Sequence, residues 1–527
     1  MRSWVALLFW AATLWGQSST PEDLCSIEGA VVNAVTGIPV KKAAVAFLGE
    51  SAGKPVNYTT VTDALGRYQA QRVEPGKYVV MAEANGFERV RGATVVLSKG
   101  QKSTGVDLKL QPFGVVTGRI LNSDNEPMSS VRVSLYRTKY RNGHKLLAGA
   151  ATTETNDLGE YRFTELRPGR YYLRADSSDP FGTGEDRSEQ PPKTGYVPEY
   201  YPGTTDSNAS APIEIAPGSM VDTGGMRMER VPVTLVRGHV ANPAGYTGGP
   251  LSVSLVADSN HAVNFDGYTR ASRDGNFEIA GVPPGGYLLE AQMHSRDTAY
   301  YAKRVVQVGA DPLEHVVLLL APALTVSGKV RFDGEGTLNL RKLMIVLDSA
   351  ARASFYIEPA KSDDDGNFTI SGIKPDRYFV SVAGLPAGYY VKAIRMRERD
   401  VLENGADFTV PAGQPIEIAI GSNGGKVSGA VKDAKDVPAS GARVVLIPEP
   451  EPRREQPSWY KMVGSDPAGK FSMTGLAPGE YRLFAWDNVQ DGAWMNADFL
   501  KPIESQGKRV MVADGSTAAV DLIVIRE

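Results

Sequence analysis

Asn156-Asp157-Leu158-Gly159-Glu160-Tyr161-Arg162-Phe163-Thr164-Glu165-Leu166-Arg167-Pro168-Gly169-Arg170-Tyr171 is the stretch that decides the fold. Asn156 is a side chain that bonds backbone two residues on, and Gly159 supplies a positive φ at little cost, so a tight turn is expected here. Beyond it Tyr161 and Phe163 alternate with polar residues, the period of two of a half-buried strand. The stretch then closes on Pro-Gly-x-Tyr.

Working outward, the pattern is written five times. Gly66, Gly159, Gly275, Gly366 and Gly469 are each followed two residues later by an aromatic: Tyr68, Tyr161, Phe277, Phe368 and Phe471. Seven residues after each glycine stands an aliphatic, and twelve after it a tyrosine: Tyr78, Tyr171, Tyr287, Tyr378 and Tyr481. Each copy also has an upstream glycine opening a strand, Gly29, Gly118, Gly238, Gly328 or Gly429. Self-similarity at a period of about 100 residues is read before any other signal. It predicts an all-β tandem array of about five Greek-key sandwich domains: 19–112, 113–230, 231–322, 323–422 and 423–527. The second carries a Pro/Tyr-rich insertion at about 176–211. The Pro-Gly-x-Tyr tyrosine matches the tyrosine corner of Greek-key sandwiches, whose hydroxyl bonds upstream backbone. In copy four Asp376 stands where the others have glycine.

The opening strand with its glycine, a Pro-containing turn such as Gly37-Ile38-Pro39-Val40, the turn glycine with its aromatic and the Pro-Gly-x-Tyr together resemble the carboxypeptidase regulatory-like domain, a seven-stranded transthyretin-like sandwich related in shape to starch-binding-like modules. The resemblance covers the mature chain. It implies a fold and not an activity: in metallocarboxypeptidases this domain accompanies a catalytic domain, and in outer-membrane transporters it precedes a plug and barrel. The segment Tyr196 to Thr204 is similar to an insertion of multi-repeat secreted bacterial members.

Composition bounds the rest. The 527 residues carry 57 Lys and Arg against 60 Asp and Glu, a net charge of −3 without the basic excess of a nucleic-acid binder. Residues 1–18 read as a secretory signal peptide: Arg2, a 12-residue apolar run from Trp4 to Trp15, then Gly16 and Ser18. Twelve residues are too few to span a bilayer, which takes about 20, and no other membrane span is expected. The chain is therefore expected to be exported, to the periplasm, the cell surface or the medium. Cys25 is the one cysteine, so no intrachain disulfide forms.

Chemistry is sparse. His144, His239, His261, His294 and His315 fall in no zinc-ligand spacing. No nucleophile has a partner base, and no glycine run precedes a helix that would hold phosphate. Asp363, Asp364 and Asp365 occupy the hairpin-turn position of the other copies, not a 12-residue calcium loop. No metal, cofactor or catalytic residue is expected. Aromatic residues are the remaining candidates. Every tryptophan beyond the signal, Trp459, Trp486 and Trp494, falls in copy five, with Tyr460 beside the first. Exposed rings of this kind stack on sugars; the alternative is that they cover the core of the last module. Tyr196, Tyr200 and Tyr201 form a second candidate set, as ligand surface or as proline-stiffened cover. The leading expectation is a non-enzymatic secreted or envelope-associated scaffold or adhesion protein, with a glycan or an envelope protein as partner. The alternatives are a carbohydrate-binding protein using the last repeat, and an accessory to an envelope enzyme or transporter.

Overall fold

The computed structural model describes residues 23–177, 193–242, 245, 248–257, 265–295, 299–350, 357–408 and 415–526. The expected signal peptide, the stretch 178–192 of the insertion and His261 lie outside the described residues. By contact density the chain divides into two compact units. One comprises residues up to 134 with 151–173 and 211–227; the other comprises 135–150, 174–210 and 228 onward.

Every copy is built around its opening strand. Cys25–Asn33 runs antiparallel to Arg67–Val73 and parallel to Leu108–Pro112. The same three-strand plan joins Gly114–Leu121 to Glu160–Leu166 and Met220–Arg227. It recurs for Thr234–Ala241 with Asn276–Val282 and Leu313–Leu319, and for Leu324–Phe332 with Asn367–Ile373 and Ile416–Gly421. In copy five Gly425–Lys432 lies between Lys470–Leu476 and Thr517–Ala519. A second sheet faces the first, as in copy one, where Lys54–Val61, Ala44–Ser51, Gly76–Glu83 and Val90–Leu97 pair in that order. Ile27, Val31, Phe47, Val80 and Leu110 fill the space between the sheets. The chain is a tandem array of β-sandwiches.

The physical reason for the repeated spacing is in the register. The opening glycine lies opposite the aromatic in all five copies: Gly29 and Tyr68, Gly118 and Tyr161, Gly238 and Phe277, Gly328 and Phe368, Gly429 and Phe471. A Cβ there would meet both the ring and its other neighbours; in copy three it would come within 2.2 Å of the Val316 carbonyl oxygen and 2.6 Å of the Phe277 ring. The turn glycines all have positive φ, from 71° to 83°, the left-handed region glycine enters at least cost. Asp63 Oδ1 accepts from the Leu65 and Arg67 amides at 2.8 Å, and Asn156, Asp363 and Asp466 do the same in their copies. Copy three uses Ser272, whose Oγ accepts from the Asn276 amide at 3.1 Å. Asp363 thus serves the turn, and Asp364 pairs with Arg341 at 2.7 Å.

Each corner tyrosine, that of the Pro-Asp-x-Tyr in copy four included, is buried, and its hydroxyl donates to the carbonyl four residues upstream. Tyr78 reaches Glu74, Tyr171 Arg167 and Tyr287 Pro283, each at 2.8 Å; Tyr378 reaches Lys374 at 3.2 Å and Tyr481 Ala477 at 2.9 Å. Burial pushes the Tyr378 and Tyr481 phenols up to about 12, so both stay protonated donors. Among the described residues no helix is long and apolar enough to cross a membrane.

Candidate functional site

Copy five departs most from the frame, and its departure begins in the strand sequence. Arg443–Pro448 and Gly479–Trp486 pair as the centre of its second sheet. Val444, Leu446, Leu483 and Ala485 point into the sandwich core. The alternate side chains Val445, Ile447, Phe484 and Trp486 are buried too, on the opposite face. They are covered by residues 487–507, a run of short helical turns, Ala493–Met495, Ala497–Leu500 and Lys501–Gln506, that supplies Val489, Trp494 and Leu500. A strand buried on both faces is apolar throughout and does not alternate.

The candidate rings fall into this geometry as follows. Trp486 has no exposed surface and stacks on Phe484, centroids 5.3 Å apart at 17°. Trp494 is buried in the same added layer, and Tyr460 packs against it, its hydroxyl donating to the Arg454 carbonyl at 2.9 Å. Trp459 sits on the other side of the sheet, 8% exposed, with the Arg453 guanidinium 4.0 Å above its ring. The expectation of exposed stacking platforms is therefore corrected: the second sheet's outer face is a core, and no sugar can lie flat on Trp486. Tyr200 is buried where Glu199–Tyr200 pairs with Arg174 and Ala175. Tyr196 is half-buried beneath Arg230, 5.6 Å away, and Tyr201 is half-buried. The carboxyl of Glu199 is also buried; desolvation holds it well above the usual carboxylate range, at about 7, although the Glu229 amide donates to it at 2.8 Å.

Two features escaped the sequence reading. The first is a charge cluster at the edge of the added layer. Arg482, its side chain 8% exposed, donates to Glu449 at 2.6 Å and to the Glu504 carbonyl at 2.9 Å, and Arg454 reaches the other Glu449 oxygen at 3.0 Å. The second is a cleft of about 350 Å³ between copies four and five, bounded by Tyr389, Tyr390, Leu402, Trp459, Lys461 and Tyr481. Its walls are fixed to one another. Arg453 pairs with Glu403 at 2.7 Å, Gln456 donates to the Glu403 carbonyl, and the Tyr390 hydroxyl meets Asp514 at 2.5 Å. The continuous apolar runs Val444 to Ile447 and Leu483 to Trp486 were the available signal for the added layer; no local pattern announces a cleft formed by two copies. Among the described residues no three His, Cys, Asp or Glu side chains converge as a metal site. The cleft offers rings, backbone and one ammonium, the means of holding a small molecule.

Comparison with known proteins fits this frame. The family model of the carboxypeptidase regulatory-like domain matches residues 26–111 and 115–188. No curated protein matches the chain. Among solved structures, the minor pilin GBS52 of Streptococcus agalactiae is 14% identical, over 40% of this chain and 97% of its own, with a TM-score of 0.24. A streptococcal ancillary pilin is 10% identical over 56% and 99%, TM-score 0.21. BcpA, the major pilin subunit of Bacillus cereus, is 12% identical over 78% and 99%, TM-score 0.15. Scores this low say nothing of this chain's function. The first two copies match the carboxypeptidase regulatory-like domain, and the three that follow repeat their glycine, aromatic and tyrosine-corner geometry.

Proposed function

We infer that the protein is a non-enzymatic scaffold, exported or held at the cell envelope, whose stacked modules position a partner, either an envelope protein or a glycan. The observation that carries this is how copies three, four and five are fastened together. Lys303 donates to the Pro375 carbonyl at 2.9 Å, and the Lys374 ammonium lies 4.4 Å from the centre of the Tyr301 ring. Burial lowers that ammonium to about 8, a cost the junction accepts to keep the two modules in contact. Arg453 with Glu403 and Tyr390 with Asp514 fasten copy four to copy five. Stacked modules gain stability from such interfaces as well as from their own cores. Investment in junctions, with no acid, base and nucleophile assembled among the described residues, supports positioning over turnover.

A second reading, glycan binding, is favoured by the cleft. It keeps Trp459 at the wall and replaces the buried Trp486 with Tyr389 and Tyr390. One experiment separates the readings. The protein spanning residues 19–527 is screened for hydrolysis of peptide and glycan substrates, for retention on insoluble polysaccharides, and for crosslinked partners in an envelope fraction. The scaffold reading expects a protein partner and no turnover. Polysaccharide retention lost in Tyr389→Ala selects the glycan reading, and substrate turnover overturns both.

A further inference from the structure

Two departures from the repeat meet each other. Among the described residues copy two has the longest hairpin strands, Val131–Arg141 and His144–Glu154, 11 residues each. The equivalent strands have 8 and 8 residues in copy one, 6 and 5 in copy three, and 6 and 4 in copy five. Copy five is the one whose second sheet is covered by the added layer 487–507. Residues 135–150, the distal part of that hairpin, belong to the same compact unit as copy five. Gln490 Nε2 donates to the Thr138 carbonyl and Asn496 Nδ2 to the Gly143 carbonyl, each at 2.8 Å. Tyr140 packs on the added layer, edge-on to Phe499 with centroids 6.1 Å apart. Close approach is written into both sides. A Cβ on Gly143 would lie 2.5 Å from the Met495 carbonyl oxygen, and one on Gly492 would lie 3.3 Å from that of Tyr140.

The two surfaces are opposite in charge. Residues 135–150 carry Arg137, Lys139, Arg141 and Lys145 with no acid. Residues 487–507 carry Asp487, Asp491, Asp498 and Glu504 against Lys501 alone. Arg443, Arg482 and Arg526 meet Asp491, Glu504 and Asp487 from within copy five, so much of the cover's acidity is answered inside that copy. Such complementarity steers encounter and fixes register.

We propose that this contact is an exchangeable joint: the added layer of copy five is a receptor for the hairpin tip 135–150, and the tip of a second copy of this chain occupies it as the chain's own does. The contacting residues are separated by more than 350 positions, so nothing local ties tip to receptor. Contact within one chain is favoured only by an effective concentration, about millimolar for short linkers and lower for long ones. Chains gathered at a surface approach that concentration. Tip and receptor are different surfaces, so reciprocal exchange closes a dimer and one-way insertion extends a filament.

Complementation tests the joint in the full mature chain. A tip variant, Tyr140→Ala with Gly143→Val, keeps an intact receptor; a receptor variant, Asn496→Ala with Phe499→Ala, keeps an intact tip. Light scattering is expected to give a monomer mass for each variant alone and a 1:1 heterodimer on mixing at 100 µM. The paired species should be at least tenfold more populated than in either variant by itself, and high salt should weaken it. A mixture that stays monomeric while both variants unfold cooperatively overturns the proposal, as does a tip variant that dimerises unaided. Where Phe499→Ala disturbs the layer it borders, Gln490→Glu replaces it. Gln490 is exposed, and the change turns the donor facing the Thr138 carbonyl into an acceptor without touching the core.

Discussion

The second sheets of copies three and five share one frame and differ in every alternate residue. Counting from the corner tyrosine, Leu289 and Ala291 in copy three match Leu483 and Ala485 in copy five, and all four are buried. Between them, copy three has Glu290 and Gln292, half-buried beside Lys303 and Tyr301 on the face that copy four touches through Lys374 and Pro375, where copy five has Phe484 and Trp486, both buried. On the neighbouring strand Ser254 answers to Val445. Because side chains alternate across a strand, a sandwich accepts a third layer through changes on one face alone, leaving the core and the tyrosine corner as they were.

The largest break in that comparison should come from Trp486→Ala. Removing a fully buried tryptophan costs about 3–5 kcal/mol, and the loss should be confined to copy five. Trp459 and Trp494 remain as fluorescent reporters there, so denaturant unfolding followed by tryptophan emission reads the right module. A shift below about 1 kcal/mol would mean that the layer 487–507 does not seal the sheet. Next is Glu449→Ala, which leaves Arg482 buried without its closest carboxylate. Stranding one member of a buried pair costs about 3–5 kcal/mol, and the partial exposure of Arg454 places this case at the lower end. Retained stability, read by the same emission, would show that Glu504 suffices to hold Arg482.

Smaller and more discriminating is the corner hydroxyl, removed in both copies by Tyr287→Phe and Tyr481→Phe. Each deletes one bond to the carbonyl four residues upstream, worth about 0.5–1.5 kcal/mol net. The two losses should agree, since the bonds measure 2.8 and 2.9 Å. Amide hydrogen exchange in each copy gives the values. A difference above about 1 kcal/mol would mean that the third layer has altered the frame beneath it.

The frame was legible because its constraints are local. A turn that needs positive φ, a ring that needs a glycine opposite, and a hydroxyl that reaches four residues back all leave marks at fixed offsets. The tryptophans of copy five were legible as an anomaly and not as a position, since a tryptophan suits a wet surface and a sealed layer equally well. What separates the two is the company it keeps. Val445, Ile447 and Phe484 fill the alternate positions that polar residues hold elsewhere, and that continuous run marks two buried faces. The partners of Tyr140 and Glu403 had no such mark, because each lies in a different copy and depends on how the copies are brought together.

The least costly change is the one that tests the other half of the comparison. Gln292 stands in copy three where Trp486 stands in copy five, opposite Tyr301, and it stays half-exposed where Trp486 is sealed. Its side chain is half-exposed, so Gln292→Ala removes neither a buried contact nor a cap. Substitutions of this kind stay within about 0.5 kcal/mol, and hydrogen exchange across 285–294 should not change. A loss above about 1 kcal/mol at this position would show that the junction with copy four seals this face as well as fastening it. The segment 487–507 in copy five and the docking of copy four on copy three would then be two ways in which this chain seals the outer face of a sheet.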